Sequence, residues 1–70
     1  DLQRLEHTPA GAQFDAVFLD MMIPHHEAAI ALAQEATTRA SHRRLRSLAH
    51  AIVHNQQHEV EQMREWQRHD

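Results

Sequence analysis

The sequence predicts an all-α protein, an antiparallel helical hairpin, on three observations. Its seventy residues include one glycine (Gly11) and two prolines (Pro9, Pro24), so little interrupts a helix. Two stretches, about 13–37 and about 42–68, repeat apolar residues at helical spacing. The residues between them, 38–41, suffice only for a turn that folds the second helix back along the first.

Each element has its own signals. Thr8 before Pro9 is the expected N-cap of the first helix, with proline in the first turn. Phe14, Val17, Phe18, Met21, His25, Ala28 and Leu32 share one side of that helix, the side expected to meet the second helix. Pro24 lacks an amide donor and frees the carbonyl of Asp20, so a kink, or a break with a new helix starting at Pro24, is expected there. Ser41 is the expected cap of the second helix, whose stripe is Leu45, Leu48, Ala49, Ile52, Gln56, Val60 and Met63. Leu19, Ile23 and Ile30 form a second apolar side on the first helix, roughly 140–180° around at ~100° per residue. Two helices cannot bury both sides. Two hairpins can, so a homodimer or higher homo-oligomer forming a four-helix bundle is expected.

Composition narrows the function classes. A chain this short rarely draws more than roughly 3–5 kcal/mol from one core and usually needs a disulfide, a metal or a partner. Cysteine is absent, which removes disulfides and thiolate metal sites. The formal charge of −3 is no footprint for nucleic acid or a polybasic membrane contact, and no apolar run has membrane length. Eight histidines are the excess that matters: protonating all of them carries the net charge from −3 to +5. The chain begins at Asp1 rather than at methionine, as expected of a longer precursor that has lost an N-terminal segment.

Folding the hairpin about residues 38–41 sets residue i opposite roughly residue 78 − i. Met21, Met22, His25, His26, Gln56 and Glu59 then lie within about two helical turns, ~11 Å of axis, with Met63 one turn further on. His25, Gln56 and Glu59 are polar groups aimed at an apolar interior, costly to bury unless they bond to each other, to water or to a metal. Two readings stay open: a hydrogen-bonded polar layer that fixes register, or a metal site. In the second, imidazole with thioether suits soft Cu(I) or Ag(I). Met22 and His26 stand at i and i+4 on the flank of the stripe. His50, His54 and His58, at i, i+4 and i+8, point away from the second helix's stripe and form a surface imidazole set suited to Cu(II), Ni(II) or Zn(II). Arg39, Arg43, Arg44 and Arg46 read as a solvated basic cluster that an anion or acidic neighbour would neutralise. No Glu-x-x-His pair, nucleophile–base set or glycine-rich phosphate loop occurs, which disfavours an enzyme, a di-iron oxidase included.

The run from Phe14 through Asp20, Met21, Met22, Ile23, Pro24, His25 and His26 to Ala29, Ile30 and Ala33 resembles the first motif of the "domain of unknown function 305" family. Leu48, Ala49, Ile52, Gln56, Glu59, Val60, Met63 and Trp66 resemble its second. That resemblance implies a ferritin-like four-helix protein, periplasmic or extracellular, of a kind in which some members bind copper or silver. It marks Met22, His25, His26, Gln56, Glu59 and Met63 as the metal positions. Family domains often hold two such hairpins and this chain has one, as expected of a fragment or a self-associating half. The expected function is copper sequestration or delivery outside the cytoplasm; the alternative is a structural assembly module whose polar His/Gln/Glu layer holds no metal.

Overall fold

The computed structural model describes residues 2–69, and among these it is helical throughout its regular structure: α1 (Leu2–Glu6), α2 (Ala12–Arg39) and α3 (Arg43–His69). α2 and α3 pack side by side and antiparallel, while α1, a turn and a half the sequence pattern did not reveal, touches α2 alone. The backbone spans 45 × 26 × 14 Å. A helix of 28 residues, like α2, is about 42 Å long and about 10 Å across, so the molecule is a single layer of helices.

The helix ends differ from expectation for local reasons. The Thr8 hydroxyl donates to the Arg4 carbonyl at 2.6 Å, so it closes α1 rather than opening α2. Gly11 takes the N-cap position of α2 at φ +111°, a backbone conformation that L side chains rarely adopt. α2 runs through Pro24 without a break. Thr37 and Thr38 do not form the turn: their hydroxyls donate back to the carbonyls of Gln34 and Glu35, and the helix continues to Arg39. The turn is therefore residues 40–42, and His42, not Ser41, caps α3, its Nδ1 accepting the Arg44 amide at 3.2 Å. Arg46 leaves the solvated cluster to donate to the carbonyls of Ala40 and Ser41, both at 3.0 Å.

The shorter apolar side of α2, not the longer one, forms the buried contact with α3. Leu19, Ile23 and Ala33 are buried, with Met22 and Ile30 packed at the margin, against Ala49, Val60 and Met63 of α3. The longer stripe is only partly covered: Phe14, Val17 and Met21 are half-buried, while Phe18 is 39% exposed and Leu32 75%. His25 lies with them and is exposed, so the burial expected of it is absent. α3 follows its expected stripe at Ala49, Val60 and Met63, though Leu45 and Leu48 at its edge stay open. The register also moves. His26 meets Glu59 rather than Ile52, because the turn lies further along the chain than expected.

The hairpin layer has two unlike surfaces. One carries polar links: Arg64 donates to Glu27 at 2.8 Å and Gln67 to Asp20 at 3.1 Å. The other holds an apolar groove lined by Ala29, Leu32 and Ala36 from α2 and Leu45, Leu48 and Ile52 from α3. At the end of α3, Arg68 and His69 hydrogen-bond Glu65 and hold its carboxyl below its ordinary value of 4.5.

Packing and caps give measurable expectations. Ile23→Ala should cost about 2–5 kcal/mol in urea unfolding, since it opens a cavity in a core with few large side chains. His42→Ala should cost about 1 kcal/mol in the same assay through loss of the α3 cap. Because Glu65 is held ionised, its contribution is complete above the ordinary carboxylate range and is lost as pH falls through its lowered folded value. The protection of amides 66–69, taken relative to their intrinsic exchange rates, should therefore fall on acidification, and Glu65→Gln should remove that change in protection.

Candidate metal centre

Four of the six expected metal positions share one place. Met22 and His26 stand one turn apart on α2, and Glu59 and Met63 one turn apart on α3. Antiparallel packing brings all four to a single open cavity of about 300 Å³, walled further by Phe18 and Trp66. Met63, expected one turn too far along, is level with Met22 because of the register shift. The two aromatic walls were not among the expected site residues. Trp66 follows Met63 by three positions and Phe18 precedes Met22 by four, the spacing that places each beside its methionine.

His26 is held from both sides. Its Nδ1 lies 3.0 Å from the Met22 carbonyl and its Nε2 lies 3.0 Å from Glu59 Oε2. Its side chain retains 14% exposure, against 53% for Glu59. Both partners are hydrogen-bond acceptors. A neutral ring, with one N–H, satisfies one of them; the second contact needs a second ring proton, and a cation at Nε2 would have to displace the carboxylate from its 3.0 Å contact. The backbone contact fixes the ring so that Nε2 is the atom free to bind, the usual arrangement of a ligating histidine.

The other two expected positions lie apart from this set. The His25 ring is exposed and meets the His26 ring edge-on, centroids 6.4 Å apart, but does not line the cavity. Gln56 is half-buried, and its Oε1 is enclosed without a donor. Among the described residues no three His, Asp or Glu side chains are gathered as they stand around a point where a metal would sit. Thioether sulfur is what completes the donor set here.

A comparison with protein families agrees with the motifs that carried the resemblance. The profile of the family described as Domain of unknown function (DUF305) matches residues 1–67. The chain belongs to this family. No curated protein and no solved structure matches it. In this DUF305 chain the two motifs are the paired lengths of α2 and α3, so the cavity is made where they meet. No helix among the described residues is long and apolar enough to cross a membrane.

The polar groups at this interface differ in worth. Glu59→Gln should lower stability by less than about 1 kcal/mol at neutral pH, because half of Glu59 is in water. Gln56→Leu should instead stabilise the metal-free protein by about 1 kcal/mol, since it removes an enclosed acceptor that has no donor. Thermal melts of the two variants beside the parent check both signs.

Proposed function

We propose that this protein is a small helical metal-binding protein that sequesters or delivers copper, or silver, outside the cytoplasm, and that it works as a homodimer or higher homo-oligomer. The observation that carries the reading is the donor set of one cavity: the thioethers of Met22 and Met63, the imidazole of His26 and the carboxylate of Glu59. Two thioethers with an imidazole favour soft Cu(I) and Ag(I) over Zn(II) or Mg(II). Nε2 of His26 and the two sulfurs would hold the ion, and Glu59 would balance its charge. Location outside the cytoplasm rests on the family resemblance, with which the lack of cysteine is compatible.

Assembly draws support from the exposed apolar surface. Phe18, Leu32, Leu45, Leu48 and Trp66 are each more than a third exposed, and they edge the groove and the cavity mouth. Phe18, His25 and Leu32 recur at seven-residue spacing, so a second copy seated there encloses His25 as well. Such a dimer is a four-helix bundle of the ferritin-like kind. A structural assembly module without a metal is the second reading, favoured by the His26–Glu59 contact and the enclosed Gln56 oxygen.

Two measurements test this. Titration with Cu(I) under reducing conditions, or with Ag(I), should show binding that the double variant Met22→Leu, His26→Gln loses; affinity that survives it hands the function to the assembly reading. Light scattering at micromolar concentration should show a dimer or larger species. Leu32→Glu or Leu48→Glu should dissociate it while leaving the hairpin helical, because neither residue is in the hairpin's own core. A folded 8.2 kDa monomer of the parent chain would end the assembly claim.

A further inference from the structure

Glu59 and His58 each line two cavities, one on either side of α3's outer flank. The first is the thioether cavity. The second, about 400 Å³ and open to solvent, is lined by His54, Asn55, His58 and Glu59. His54 and His58 stand at i and i+4, a spacing that sets their Cβ atoms about 5–6 Å apart on one helix face. Both are exposed, and neither has a hydrogen-bond partner among the described residues that would have to be broken. His50, one turn earlier, lies outside this cavity.

We propose that His54 and His58, joined by Glu59 when it turns away from His26, form a second cation site for a borderline divalent ion such as Zn(II), and that this site and His26 compete for the one carboxylate. Two imidazoles and a carboxylate are ordinary zinc donors, with water completing the tetrahedron. The carboxylate sits between two claims. In the described conformation it is bonded to His26 Nε2 at 3.0 Å, and no three-ligand set is assembled among the described residues. Glu59 is about half exposed, so swinging to the other cavity costs it little packing. Zinc binding there withdraws the acceptor from His26, and engagement of His26 withdraws the third ligand from zinc. The His54/His58 pair does not depend on the thioether reading, although two residues of its site, His58 and Glu59, also line that cavity.

Calorimetric titration of the whole chain with Zn(II) at fixed neutral pH, with circular dichroism to verify each fold, tests the site. One Zn(II) per chain is expected. His54→Gln and His58→Gln should each abolish that binding. Glu59→Gln should weaken it by at least the roughly tenfold that losing even an outer-shell partner costs a metal site. His50→Gln should leave it unchanged, and His26→Gln, by freeing Glu59, should tighten it. Zinc should also shift the His26 ring resonances in the parent but not in Glu59→Gln. Equal damage from His50→Gln would mean a diffuse histidine stripe, and an unchanged affinity in Glu59→Gln would mean a bare two-histidine clip; either overturns the proposal. Ag(I) titrated in parallel reads the thioether cavity, so loss of one site is distinguishable from loss of the other.

Discussion

A layer two helices wide gives each long helix one neighbour, and much of the rest of this structure depends on that. With a 14 Å backbone thickness, whatever α2 and α3 do not press against each other meets solvent or another molecule. Their contact buries Leu19, Ile23, Val60 and Met63, with Ala33 and Ala49 where the helices approach near the turn. Alanine there lets two backbones draw close, but it adds little apolar area. Substantial apolar area is left over, and it is not spread evenly. The surface with the Glu27–Arg64 and Asp20–Gln67 links is finished for water, whereas the surface with Leu32, Leu45, Leu48 and Trp66 is not.

Helix type, number of long helices and the stripe of α3 were legible in the sequence, because each depends on periodicity and on a nearly unbroken run of helix-compatible residues. The pairing side of α2 was not. Its apolar residues occupy two sides, and periodicity reports that both are apolar without reporting which meets α3. The shorter side wins here, having Leu19 and Ile23 one turn apart where Val60 and Met63 can pack on them. Register was lost to a smaller detail. Thr38 was expected in the turn, but its hydroxyl, like that of Thr37, found a carbonyl of its own helix, and the turn moved toward α3. A histidine cap was equally hidden, since Ser41 beside it fits the usual cap preference and His42 does not.

Four of the expected positions stay grouped despite the register error because they come in i, i+4 pairs. Met22 with His26, and Glu59 with Met63, each stay together however the helices slide. Sliding changes only which pair meets which, and the observed register sets methionine level with methionine. His25 does not stay with them, because it belongs with Phe18 and Leu32 on the side α3 covers only in part. Adjacent in sequence, His25 and His26 differ by ~100° around the helix, and that angle separates a cavity wall from an outer surface.

On the proposed function, covering the open surface and filling the cavity are linked events. The cavity mouth is edged by Phe18 and Trp66, two of the apolar groups a second copy would bury. A cation held by Met22, His26 and Met63 gains from exclusion of water, because its attraction to Glu59 strengthens as the local dielectric falls. An occupied cavity in turn removes the cost of enclosing an anionic Glu59 without a counter-charge. Each event therefore lowers the free energy of the other, and linkage requires the two effects to be equal: whatever factor closure adds to metal affinity, metal must add to association. For a hairpin with so thin a core, that coupling would make the folded, assembled and loaded states of the proposed reading mutually dependent, with Glu59 as the charge on which all three converge.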